Sequence, residues 1–381
     1  MSNDTPVYMC MLDASKAFDR INIMKLMDIL IDRKISPCIL RVLLLMLITQ
    51  KSCVAWINVF SEEFELTNGS RQGGILSAIL FIVYFDVLIH RLNSEGIGCN
   101  VLGILISVLV YADDILLLFP SVKGLQRLIQ IREEYASDYD LIFNTDKKKS
   151  KCIKISKNCC DDVPVIRLYD RPMTWYKKVT YLGHEITHDL SDKDDIEVKR
   201  ATFFAKYQEL SHNYHYLDEN ILVYLMKQNC CTFFGGGIYD FTNVNLDRLG
   251  NAFKTALRKI FHLPYNSKSK IVLGLSKCTP VEISLYNRFI KLIGNVPDNK
   301  IVAFFFRIAK TSFARTVTGR NWIHINNKNK WTNKQIVQDK LSDNELYVVK
   351  SVKELLSLRN SLDPESLDNE EINQLIEFLC T

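Results

Sequence analysis

Two hydrophobic rhythms divide the N-terminal half of the chain. Val7 to Leu12 is a continuous apolar run that stops at Asp13, the form of a short buried strand. Asp19 or Asn22 then stands where a helix cap is needed for a segment running to about Arg33, and Pro37 opens a second helix running to about Thr49. Val54 to Leu66, broken near Ser61, predicts a hairpin. A loop with glycines at 69, 73 and 74 follows, and it leads into a buried helix from about Leu76 to Leu92. Leu102 to Val110 and Ile115 to Phe119 are β-rich runs joined through Tyr111-Ala112-Asp113-Asp114, so the two acids fall at a hairpin tip. Ser121 to Tyr139 has helical spacing. Leu141 to Phe143 is strand-like, and further strands are expected at 151 to 156 and 164 to 169. The α+β part should end near Glu185, and Ser191 to about Leu263 is mainly helical.

Composition adds bounds to that outline. The chain has 381 residues, 48% hydrophobic and 24% charged, so a sizeable core is expected. Of the apolar stretches, only Val101 to Phe119 approaches a bilayer-spanning length, and it contains Asp113 and Asp114, which argues against a membrane partner. No signal peptide or targeting signal is visible, and eleven cysteines without paired spacing fit reduced thiols of an intracellular protein, nuclear or cytoplasmic. The net charge of +5 hides an asymmetry: residues 339–381 carry −6, which leaves +11 on residues 1–338 and favours a polyanionic partner.

The double acid is the most informative local feature. Asp-Gly or Asn-Gly suits a tight hairpin, whereas Ala-Asp-Asp does not. Adjacent carboxylates raise each other's pKa unless a cation neutralises them, and carboxylate oxygen suits Mg²⁺ or Mn²⁺. A solvated acidic turn is the plain alternative. Asp13 ends a strand 100 residues earlier. If the strands are neighbours, three carboxylates meet at one sheet edge, the arrangement used in two-metal nucleotidyl transfer.

Read in order, Leu12-Asp13-Ala14-Ser15-Lys16-Ala17-Phe18-Asp19, Gly69-Ser70-Arg71-Gln72-Gly73-Gly74, Tyr111 to Asp114 and Tyr181-Leu182-Gly183-His184 closely resemble the palm of reverse transcriptases of non-LTR, LINE-type retrotransposons. Val83-Tyr84-Phe85-Asp86 and Asp189-Leu190-Ser191-Asp192 add support. The resemblance is strong over about residues 7–190 and fainter to about 300. It implies an α+β palm over 1–190, a helical thumb-like region over 191–300, a basic aromatic connecting region over 301–338 and an acidic, helical or partly disordered tail over 339–381. The fingers are expected to be largely absent.

What the resemblance implies for single residues is as follows. Asp13, Asp113 and Asp114 are the catalytic acids and Mg²⁺ ligands, with Mn²⁺ as a substitute. Phe18 lies beneath the incoming sugar, and Arg71, Gln72, Gly73 and Lys149 line the nucleotide and template side. Tyr181, Leu182 and Gly183 form a primer grip. The implied activity is RNA-directed DNA polymerisation, with an RNA template, a DNA primer and dNTP as partners. Lys254, Arg258, Lys259, Lys268 and Lys270 are candidates to track duplex phosphates. Arg307, Lys310, Arg315, Arg320, Trp322, Lys328, Lys330 and Trp331 mix bases with aromatics as single-strand binders do. Phe304 to Phe306 fits core.

Two departures stand out. Asp140 occupies a position where glycine is common, and the step from Asn144 to Lys149-Ser150 is longer than usual. The chain also starts a dozen residues before Asp13, so upstream fingers and an endonuclease are expected to belong to the same original polyprotein. Two further readings remain: a truncated, catalytically silent nucleic-acid-binding remnant, and a group II intron maturase.

Overall fold

A computed structural model describes residues 5–71, 73–101, 104–156, 163–295 and 316–328. The chain divides into two compact units, Met1–Ser191 and Asp192–Thr381.

The first unit is built on a five-stranded sheet. Its strands are β1 (Val7–Asp13), β8 (Val108–Tyr111), β9 (Asp114–Phe119), β10 (Lys151–Ile155) and β13 (Trp175–Tyr176). They lie in the order β13-β10-β1-β9-β8. β1 sits between two antiparallel neighbours, which explains its continuous apolar run: Cys10 pairs with both Cys152 and Leu117. Helices α1 (Ile23–Asp32), α3 (Ile75–Ser94) and α4 (Val122–Asp138) contribute the buried faces that pack with the sheet in the main core.

Of the two cap candidates Asp19 and Asn22, the helix uses Asn22, and Ser121 caps the later helix. Asn22 Oδ1 accepts from the Lys25 amide, and Ser121 Oγ accepts from the Gly124 amide. Pro37 opens α2 (Pro37–Ile48). The hairpin expected from Val54 is two nested pairs, β2 (Lys51–Ser52) with β5 (Phe64–Glu65) and β3 (Ala55–Trp56) with β4 (Val59–Phe60). Ser61 makes the break, because its hydroxyl accepts from the Val54 amide at 2.9 Å.

Four expectations need correction. The helix α3 is not buried all round: Leu80, Phe81, Tyr84, Phe85, Leu88 and Leu92 form an inner stripe, whereas Ile75, Ile79 and Ile82 are exposed. It is long and apolar enough to cross a membrane by length and composition. Leu141 to Phe143 makes only a single bridge, Phe143 to Ala14. The span 164–169 yields only β11 (Arg167–Leu168), paired with β12 (Arg171–Pro172). The run from Leu102 is also divided: β7 (Ile104–Ile106) pairs with β6 (Cys99–Val101), and β8 begins after Ser107. The unit closes with the hairpin of β14 (Lys178–Tyr181) and β15 (His184–Thr187).

The second unit is helical, with α5 (Lys193–Asn213), α6 (Glu219–Asn229), α7 (Asn245–Ile260), α8 (Ser269–Ser276), α9 (Val281–Asn295) and α10 (Val317–Lys328). Helix α7 fills the centre, with Leu249, Ala256 and Leu257 without exposed surface. Arg307, Lys310, Arg315, Lys330, Trp331, Phe304 to Phe306, the Trp322 and Lys328 side chains and the tail 339–381 lie outside the described residues or side chains.

Candidate active site

The register of β1 brings the acids together. Asp13 is the cross-strand partner of Asp114, and Tyr111 is the other partner of Asp114 across the β8–β9 hairpin. Ala112 and Asp113 form the two-residue turn, with Ala112 in the left-handed region at φ 52°. A non-glycine residue there is strained, so this turn is held by the paired strands rather than favoured by its own sequence. Burial, followed by the charges of Asp113 and Asp13, raises the Asp114 carboxyl above its ordinary range, and Lys149 opposes the shift. Like charges opposite each other destabilise an antiparallel pair.

Lys149 is the compensating cation: its ammonium lies 3.6 Å from Asp13 Oδ1. The lengthened step after Asn144 turns back on itself, with Asp146 O accepting from the amides of Lys149 and Ser150 at 2.9 Å. That turn absorbs the extra residues and delivers Lys149 to the acids. Ser150, which the sequence reading passed over, is buried behind it. Its hydroxyl donates to Asn144 O at 2.5 Å and accepts from the Asp13 amide at 3.5 Å. The Asn144 amide donates to Asp13 O at 2.9 Å, so the backbone of Asp13 is held from this side as well as by the sheet. No periodicity in the sequence signals Ser150, because its role depends on a turn.

The glycine loop is anchored to the segment after Asp13. The Gly69 amide donates to Ile21 O and the Ser70 amide to Phe18 O, each at 2.9 Å. Gly69 has φ 89°, and a Cβ there would meet Asp19 Cα at 2.8 Å, so only glycine permits this approach. Phe18 is half-buried and stacks on Phe81 with ring centroids 4.7 Å apart. The exposed Arg71 donates to Lys51 O at 2.8 Å. Gly73 has φ 85° with open space around it, and Gln72 lies outside the described residues.

Tyr181 joins from the β14–β15 hairpin. Burial and then the Asp114 charge raise its phenol above the ordinary value. Leu182 and Gly183 form the exposed turn, both left-handed at φ 46° and 76°. Asp140 also has positive φ, 55°, which is the physical reason glycine suits that position. Its carboxylate accepts from Asn22 Nδ2 at 2.8 Å and lies 3.4 Å from Lys25 Nζ. Tyr84 ties the same corner together, because its hydroxyl donates to Tyr139 O at 2.6 Å and accepts from the Asn22 amide.

The donor set of Asp13, Asp113 and Asp114 is carboxylate oxygen throughout, which suits a hard divalent cation. Among the described residues, no three His, Cys, Asp or Glu side chains are gathered closely enough to hold a metal ion. Asp13 is turned to Lys149 instead. In the second unit, Lys254 lies 4.0 Å from Glu282 and Arg258 donates to Ser267 O, whereas Lys259 and Lys270 are exposed. Arg320 pairs with Asp240 at 2.6 Å.

A mixed sheet whose antiparallel inner strands β1 and β9 carry Asp13 and Asp114 side by side, with helices packed against it, is an α+β arrangement. The family described as reverse transcriptase (RNA-dependent DNA polymerase) matches residues 2–186, and this segment is a reverse transcriptase domain of the non-LTR retrotransposon kind. A Pol polyprotein from the type-2 retrotransposable element R2DM of Drosophila melanogaster is 38% identical over 87 residues, 23% of this chain and 8% of that protein. One from the type-1 element R2 of Nasonia vitripennis is 29% identical over 120 residues, 32% of this chain and 12% of that protein. The matched segments thus span about a tenth of those polyproteins. Apo telomerase from Candida tropicalis is 12% identical, with a TM-score of 0.39 over 97% of this chain and 53% of that one. The same telomerase in complex with a TWJ fragment of telomeric RNA is 13% identical, with a TM-score of 0.38 over 99% and 49%.

Proposed function

We propose that this chain supplies the palm and thumb of an RNA-directed DNA polymerase that extends a DNA primer with dNTP on an RNA template. The cross-strand pairing of Asp13 with Asp114, beside Asp113 in the turn, is the observation that carries the reading. In this reading residues 1–190 are the palm and 191–300 the thumb.

The primer O3′ forms a bond to the α-phosphorus as the bond to the departing pyrophosphate breaks. Asp13, Asp113 and Asp114 would hold Mg²⁺ once Asp13 leaves Lys149, and the ion would supply charge stabilisation for the transfer. Lys149 is placed to release Asp13 and turn its ammonium to the polyphosphate. Phe18, braced on Phe81, offers a ring face beneath the sugar, and Arg71 and Gly73 border the same loop. Tyr181 approaches Asp114 from the hairpin that orients the primer end.

Primer extension on an RNA template with Mg²⁺ or Mn²⁺ tests the proposal. Extension should be lost in Asp113→Ala and Asp114→Asn, and extension by those variants equal to that of the unmodified chain would overturn the assignment. A second reading, binding without catalysis, is favoured by the pairing of Asp13 with Lys149. It predicts salt-sensitive binding to primer and template with no metal-dependent extension.

A further inference from the structure

Behind the acids, β1 and β10 carry a cluster of sulfur. Cys10 and Cys152 are cross-strand partners without exposed surface. Each thiol lies 3.8 Å from Met173 Sδ. Sulfurs bonded to one trigonal ion at ~2.3 Å stand about 4.0 Å apart, close to the separation of each thiol from Met173. Thiolate and thioether are soft donors that select Cu(I) over hard cations.

A second observation points to an anionic occupant. Arg132 is fully buried in α4, and its Nε, Nη1 and Nη2 have no hydrogen-bond partner. Its guanidinium lies 3.9 Å over the Phe143 ring. The nearest carboxylate oxygen, Glu133 Oε1, is 4.0 Å away and accepts from the Tyr169 amide. Burial pushes the Arg132 guanidinium down to about 10, and Tyr169, Cys10 and Glu133 oppose that shift. A buried cation needs a counter-charge. Two thiolates and a neutral thioether around a monovalent ion carry a net charge of −1, which matches Arg132, whereas a divalent ion would leave the complex neutral and the guanidinium uncompensated.

We infer that Cys10, Cys152 and Met173 form a trigonal site for a soft monovalent cation of the Cu(I) class, with Arg132 as its buried counter-charge. Binding releases the two thiol protons to solvent, forms two metal–thiolate bonds and one metal–thioether bond, and transfers no electrons. The bound ion braces β1 against β10 three residues before Asp13, and the inference does not depend on the polymerase reading.

The test is a Cu(I) titration of the full reduced chain against a competing chelator, followed by X-ray absorption on selenomethionine-labelled protein. One tightly bound equivalent is expected, with two sulfurs and one selenium around copper at roughly metal–thiolate distance. Cys10→Ser with Cys152→Ser should abolish that equivalent, and Met173→Leu should remove the selenium shell. Arg132→Met should weaken binding about 10–100-fold, as loss of an outer partner does, and raise the melting temperature of the metal-free chain. A copper shell lacking selenium in the unmutated chain, or undiminished binding by the double cysteine variant, overturns the site. The selenium shell decides the question even where a core variant fails to fold.

Discussion

Asp13 faces Asp114 across β1 and β9, and the charge conflict this creates is met by Lys149 at 3.6 Å from Asp13. A cation already seated on one ligand must be displaced before a metal can use that ligand. Lys149→Met should therefore lower the Mn²⁺ concentration for half-occupancy, read by the paramagnetic signal of free Mn²⁺. It should also slow primer extension if the ammonium turns to the polyphosphate. A higher Mn²⁺ requirement in the variant would contradict the competition.

Asp114 gives a pH-dependent outcome in the metal-free chain. Its carboxyl is raised by burial and by Asp113 and Asp13, so the folded state binds its proton more tightly than the unfolded state does. The stability this provides is fully present below the unfolded value of about 3.9 and is lost as pH rises through the folded one. Asp114→Asn should thus raise the melting temperature at pH 7 and change it little near pH 3. Equal gains at both values would mean that the charge is not the cause.

Gly69 and Gly73 share positive φ and differ in surroundings. Alanine at Gly73 meets open space and should cost roughly 1 kcal/mol of backbone strain. Alanine at Gly69 adds a collision with Asp19 backbone and should cost about 2–4 kcal/mol. Urea unfolding of both variants checks the order, and a larger loss at Gly73 would be inconsistent with the packing of Gly69.

Asp140 combines left-handed strain with a hydrogen bond that holds its carboxyl below the usual range, chiefly through Asn22. Its contribution is present above the unfolded value and is lost as pH falls through the folded one. Asp140→Gly should be nearly neutral, because relief of strain offsets the lost bond, whereas Asp140→Ala should cost about 1 kcal/mol at pH 7. Thermal melts of the two variants at pH 7 and pH 3 distinguish these outcomes.

The sequence by itself determined the elements that depend on neighbours in the chain. The continuous apolar run of β1, the Asn22 cap and the two acids between the runs of β8 and β9 follow from local hydrophobic pattern and cap chemistry, although the turn itself is poor turn chemistry. The ordered motifs also fixed the family, because they are read without knowing what touches what. Only the tertiary structure decided the register that sets Asp13 against Asp114, since a strand slipped by one residue would turn every side chain to the other face. It also decided that the long step after Asn144 folds into a turn carrying Lys149 to Asp13 and Ser150 behind it. Gly69 against Asp19, the half-exposed α3 and the sulfur cluster beside Arg132 were illegible for the same reason. Each depends on contacts between residues tens of positions or more apart, and such contacts leave no periodic trace in the sequence.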